Sequence, residues 1–173
     1  MKPNQIAKQI ADKQVAFKRV FEIVMSKAPI YFIDEAVFTS KLQSKKVWTR
    51  GGRSPMVIYK PKLGFKAIAV VGAIDIKGRV RTICCHDYSI NVDKFIQFLQ
   101  ELRVMKNAST MIYIFLDNLR VHYSLRVRQY CRENKIELVF NAAYSSEYNP
   151  IERLWALSKR IFQRKLAETN DHS

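Results

Sequence analysis

The sequence predicts an α/β fold: a mixed five-stranded sheet with helices on both faces, preceded by an N-terminal amphipathic helix. Three observations carry that expectation. Two apolar runs, 65 to 75 and 79 to 88, are joined by the short link Ile76-Lys77-Gly78 and read as an antiparallel hairpin. After Tyr88 the apolar period changes from two to about 3.6. From there, helical and strand-like segments alternate to the end of the chain.

Residues 4 to 27 space Ile6, Ile10, Phe17, Val20, Phe21 and Val24 at helical intervals, with lysines between them, and Pro29 stops the helix. Residues 30 to 38 form an apolar strand interrupted by Asp34 and Glu35. Residues 41 to 64 contain no acid, three glycines and two prolines, and read as an exposed basic loop or hairpin carrying Lys45, Lys46, Trp48, Arg50, Arg53, Lys60 and Lys62. Beyond the hairpin, Val92, Phe95, Phe98, Leu99, Leu102 and Met105 line one helix face, with Asn91 placed to cap it. Residues 111 to 116 are a buried strand, 124 to 133 a helix, 136 to 140 a short strand and 150 to 167 a last helix, with 168 to 173 expected to fray. Three strands, then helix, strand, helix, strand, helix is the ribonuclease H-like order. The expected division is a helical linker over 1–28, joined to something upstream, and a ribonuclease H-like domain over 29–173.

Thirty Lys and Arg against fifteen Asp and Glu leave a formal net charge of +15 on a chain that is 48% hydrophobic. Such a field favours a polyanion, nucleic acid before an anionic membrane surface, because binding releases condensed counterions. No run of eighteen apolar residues and no signal-peptide pattern is present, so an intracellular location is expected: the nucleus in a eukaryote, the cytoplasm or nucleoid in a bacterium. Cys84, Cys85 and Cys131 lack metal or redox spacing and are expected to be buried free thiols.

Chemistry enters with three acids on three elements. Asp34 lies on the pleat face of Phe32 and Ala36 where the apolar run from Ile30 is interrupted, with Glu35 pointing the other way; Asp117 closes the run Met111 to Leu116; Glu152 follows after thirty-four intervening residues. Asn149 suits a helix N-cap and Pro150 the first helical position, which puts Glu152 in the first turn. Each acid has a structural alternative: a salt bridge for Asp34, an Asx-turn for Asp117, a capping box for Glu152. Taken together, carboxylates at the ends of apolar strands are costly to desolvate unless something positive meets them, and a divalent metal pair is one answer. Glu152 is nearly the lone acid on a helix carrying Arg153, Lys159 and Arg160, which fits a metal ligand beside a phosphate-binding surface.

The Asp34-Glu35 strand, Leu116-Asp117-Asn118 with His122, and Tyr144-Ser145-Ser146-Glu147-Tyr148-Asn149-Pro150-Ile151-Glu152-Arg153-Leu154-Trp155 resemble the catalytic domain of the mariner-like cut-and-paste DNA transposases and the related bacterial insertion-sequence transposases, of the DDE superfamily. The resemblance covers 28 to 165. It implies a ribonuclease H-like enzyme in which Asp34, Asp117 and Glu152 hold two Mg²⁺ ions, with Mn²⁺ as substitute, for in-line displacement at phosphorus without a covalent enzyme intermediate. Cleavage at element ends and joining of 3′-hydroxyls to target DNA would follow. Asn118 and His122 would support the site or touch DNA, or else be a turn Asn and a helix-start His. The basic loop and the cationic side of the last helix would bind double-stranded DNA, with a homodimer holding two ends in synapsis. Family members carry upstream helix-turn-helix modules, so DNA reading is expected to come from outside these residues. Here Asn141-Ala142-Ala143 and Ser146-Glu147 depart from the usual proline-containing pattern. Rival readings are a relative that binds DNA without cutting it and a nuclease acting on RNA–DNA hybrids.

Overall fold

A computed structural model describes residues 3–39, 67–87 and 89–171. The expected basic segment, with Lys45, Lys46, Trp48, Arg50, Arg53, Lys60 and Lys62, lies outside the described residues. Helix α1 (Pro3–Met25) precedes β1 (Ile30–Thr39), β2 (Ala67–Asp75), β3 (Val80–Asp87), α2 (Val92–Val104), β4 (Ile112–Leu116), α3 (Leu125–Glu133), β5 (Ile136–Phe140) and α4 (Ile151–Asp171). The sheet order is β3-β2-β1-β4-β5; β1, β2 and β3 pair antiparallel, and β4 is parallel to both β1 and β5. This is the expected mixed sheet.

Strand alternation sorts the apolar residues into two cores. On one face Tyr31, Ile33, Val71, Ala73, Ile112 and Ile114 meet Phe95, Phe98, Leu99 and Leu102 of α2 and Val127 and Cys131 of α3. On the other, Phe32, Ala36, Val70, Ile74 and Phe115 meet Ile23 of α1 and Ile151 and Trp155 of α4. The caps of α2 and α3 follow their sequence signals, since the Asn91 side chain accepts from the Lys94 N–H and the Ser124 hydroxyl from the Val127 N–H.

The β2–β3 hairpin is pinned by a buried Asp75, whose carboxylate accepts the Lys77 and Arg79 N–H groups at 2.9 and 3.0 Å and pairs with the Arg79 and Arg81 guanidiniums. Gly78 takes the positive φ of 74° that the turn requires. The register set here carries inward: Gly72 pairs with Asp34 across β1–β2. A Cβ on Gly72 would stand 2.8 Å from the Trp155 ring, so the missing side chain is what lets α4 seat on the sheet.

The structure departs from expectation in four places. Short 3₁₀ turns at Arg120–Tyr123 and Ser146–Tyr148 had no periodicity to reveal them. Helix α4 runs on to Asp171, with Glu168 paired to Lys165 at 3.0 Å, where fraying was expected. Cys131 is buried, but Cys85 is exposed and Cys84 half-buried, because β3 is at the sheet edge. The described residues contain no helix long and apolar enough to cross a membrane.

Gly72→Ala should cost about 1–3 kcal/mol by overpacking against Trp155. Denaturant unfolding measures the loss, and Trp155→Phe in the same chain should recover part of it. An unchanged midpoint for Gly72→Ala would contradict this packing.

Candidate active site

Asp34 and Asp117 are brought together by strand register. The parallel β1–β4 ladder pairs Phe32 with Phe115, and two residues further along the same face stand Asp34 and Asp117. Glu152 arrives from α4. Trp155 lies against Gly72, the partner of Asp34, and one helical turn back from Trp155 is Glu152, half-buried beside the sheet.

Asn149 locks this arrangement, by a route other than the expected cap. Its buried side-chain amide donates to the Ile33 carbonyl oxygen at 2.8 Å, one residue before Asp34. Helix α4 starts at Ile151 with i→i+3 bonds, Glu152 N–H to Asn149 O and Arg153 N–H to Pro150 O. The Asn149 N–H donates to Ser146 O at 2.8 Å, so a capping box with Glu152 has no donor available. The segment before α4 is thus tied to the strand that carries Asp34.

Burial lifts the Asp34 carboxyl to about 7; the Glu35 backbone N–H opposes that shift, and the carboxylates of Glu152, Glu35 and Asp117 add to it. The neighbours that shift it are acids, and among the described residues Asp34 forms no salt bridge. A crowded set of carboxylate oxygens without a cation is the donor chemistry that a hard divalent ion satisfies. The residues present fit such an ion.

Asp117 does make the Asx-turn, its Oδ1 accepting the Leu119 N–H at 3.2 Å, and this is compatible with its place beside Asp34. On the α2 side of the sheet, His122 is fully buried, its ring 4.5 Å from that of Phe95. Its Nε2 lies 3.0 Å from Glu35 Oε1 and its Nδ1 3.3 Å from Asp117 Oδ1. Both ring nitrogens face acceptors, so both donate. Burial pushes the imidazole down, but the hydrogen bonds with Asp117 and Glu35 outweigh it and raise it to about 9. Total burial rules out DNA contact by His122. Ligand atoms of Glu35, Asp117 and His122 fall within 4.8 Å of one another, a grouping that sequence reasoning missed by admitting one of two adjacent strand acids.

Asn118 is exposed, donates to Asn141 O at 2.6 Å and accepts from the Tyr123 hydroxyl, which ties the end of β4 to the end of β5. It also lines a cleft of about 520 Å³ between α1 and β5 that contains none of the three acids. Arg153, Lys159 and Arg160 are exposed on α4. Seven residues apart, Arg153 and Arg160 share one side of the helix, whereas Lys159 lies off that line.

A family model described as DDE superfamily endonuclease matches residues 29–172. The chain belongs to the DDE superfamily of endonucleases. It is 23% identical over 145 residues to an uncharacterized 39 kDa protein of insertion element IS630 from Shigella sonnei, covering 83% of this chain and 41% of that protein. Among solved structures it resembles the mariner Mos1 paired end complex with Mg, at a TM-score of 0.71 and 17% identity over 94% of this chain and 50% of that one. It also resembles the catalytic domain of the Mos1 mariner transposase, at a TM-score of 0.64 and 15% identity over 94% of this chain and 73% of that one. The fold of the DDE chain is thus the ribonuclease H-like fold of that catalytic domain. The chain spans about half the length of the paired-end relative, and less of the insertion-element protein.

A carboxyl raised in the folded state binds its proton more tightly there than in the unfolded chain. Metal-free protein should therefore lose stability as pH rises from 3.8 to about 7, the window set by Asp34. Unfolding midpoints with chelator across that range should fall more steeply for wild type than for Asp34→Asn; parallel curves would contradict the assignment.

Proposed function

We propose that this chain is the catalytic part of a metal-dependent DNA transposase, which cuts phosphodiesters at the ends of a mobile element and joins the 3′-hydroxyls to target DNA. The observation that carries the reading is the crowding of Asp34 by Asp117 and Glu152, three acids delivered by β1, the end of β4 and the start of α4. Membership of the DDE endonucleases and likeness to Mos1, solved as a paired-end complex and with Mg, support it.

Asp34, Asp117 and Glu152 would hold a pair of Mg²⁺ ions, with Mn²⁺ as a substitute, through carboxylate oxygens. When bound, such ions supply an activated oxygen nucleophile and offset charge on the leaving oxygen of an in-line displacement. The protein's part is to present those oxygens deprotonated and fixed. Asp34 would release its proton on loading, which would tie apparent metal affinity to a group at about 7. Asn149 and the Trp155–Gly72 contact hold Glu152 against the strand that bears Asp34. Arg153 and Arg160 supply charge for the phosphate backbone of double-stranded DNA, joined by Lys159 and by the segment containing Lys45, Lys46, Trp48, Arg50, Arg53, Lys60 and Lys62. Residues 29–173 form the catalytic domain and 1–28 a helical linker, and a homodimer would hold two DNA ends together.

Labelled duplex carrying a candidate element end, incubated with Mg²⁺ or Mn²⁺, should be nicked by wild type and left intact by Asp117→Ala, while both bind it. Equal inactivity with retained binding would favour a DNA-binding relative without catalysis. Charge reversal between Lys45 and Lys62 should lower the slope of log affinity against log salt by about 0.9 for each phosphate that is no longer neutralised; an unchanged slope would remove that segment from the interface.

A further inference from the structure

Behind Asp117, on the face of the sheet away from α4, runs a chain of hydrogen bonds that the three acids do not account for. The His122 ring is sealed against Phe95 and reaches Glu35 Oε1 at 3.0 Å through Nε2. Through Nδ1 it reaches Asp117 twice, at 3.3 Å to Oδ1 and 3.2 Å to the backbone carbonyl oxygen. The Leu119 N–H adds a bond at 3.2 Å to the same Oδ1. Among the described residues, both bonds to this carboxylate therefore end on one oxygen, and Oδ2 is left for another partner. Glu35 is itself only 12% exposed, and its Oε2 is buried without a hydrogen bond among the described residues. A half-satisfied buried carboxylate costs stability, so its presence calls for an explanation.

Asp117 needs such a tether. It follows the last residue of β4, beyond the β1–β4 ladder, and its side chain is 42% exposed, so strand pairing does not hold it. We propose that Glu35 and His122 are positioning residues that fix the rotamer of Asp117, dedicating Oδ1 to the protein and Oδ2 to the divalent cation. This rests on Asp117 being a metal ligand, as proposed for the three acids. Glu35 and His122 touch neither substrate nor metal; they act through Asp117, as groups hydrogen-bonded behind a ligand commonly do.

The test is Mn²⁺ binding by calorimetry on the full chain, with Mn²⁺ electron spin resonance beside it. Replacing both partners by apolar groups of similar size, Glu35→Leu with His122→Phe, removes the tether without stranding a buried charge and keeps a ring against Phe95. This double variant should stay folded, as its melting transition reports, and bind Mn²⁺ about 10–100-fold more weakly than wild type. Wild-type affinity in the folded double variant would overturn the proposal. Should that variant fail to fold, His122→Asn, whose amide N–H can stand where Nδ1 stood, is to retain more affinity than His122→Ala; equal losses would overturn it. Nitrogen modulation from a directly bound imidazole in the wild-type Mn²⁺ spectrum would also overturn it, since His122 would then be a ligand. Asp117→Asn separates the two readings. If it loses Mn²⁺ while the double variant does not, the tether fails and the metal site stands; if it binds like wild type, the metal site fails and takes the tether with it.

Discussion

The site depends on β1 being the central strand, hydrogen-bonded antiparallel to β2 on one side and parallel to β4 on the other. A central strand gives each of its residues two fixed neighbours. For Asp34 these are Gly72, which leaves room above the sheet, and the projected position of Asp117, where β4 has just ended. A slip of one residue would turn Asp34 into the α2 core and Glu35 toward α4. The Asp75 knot at the far end of β2 and the two buried cores both oppose that slip.

Helix α4 converts this flat arrangement into a three-sided one. Ile151 and Trp155 supply the apolar contact, Gly72 permits its closeness, and Asn149 adds a directional bond to the Ile33 carbonyl. Apolar packing alone would leave the helix free to slide by a fraction of a turn, whereas one buried hydrogen bond next to Asp34 specifies the depth at which Glu152 sits. The consequence is electrostatic. Burial raises the proton affinity of Asp34 and the neighbouring carboxylates of Glu152, Glu35 and Asp117 add to it, an unfavourable interaction that a bound cation would relieve.

Much of this was legible in the sequence. The apolar runs and the change of period mark the five strands and four α-helices of the described residues, and the spacing of Asp117 and Glu152, with the motif around Asn149, points to the acids and the family. What stayed hidden depends on tertiary partners. Asn149 before Pro150 has the local look of a cap, yet its side chain serves a strand more than a hundred residues away. Alternation sends Glu35 to the other face, away from Asp34. That is correct, but Asp117 lies past the end of β4, where His122 reaches it from that face. Gly72 within an apolar strand did carry a signal, since glycine in a strand interior often marks a close approach. The segment from Lys45 to Lys62 remains an expectation from charge alone.

Whether Asp34, Asp117 and Glu152 form one divalent-ion site can be decided by anomalous diffraction from crystals of the chain grown or soaked with Mn²⁺ at a pH above 7. The expected result is an anomalous peak bounded by carboxylate oxygens of all three acids, with His122 outside coordination distance. A peak centred instead among Glu35, His122 and Asp117, or no bound Mn²⁺ at the three acids, would contradict the assignment.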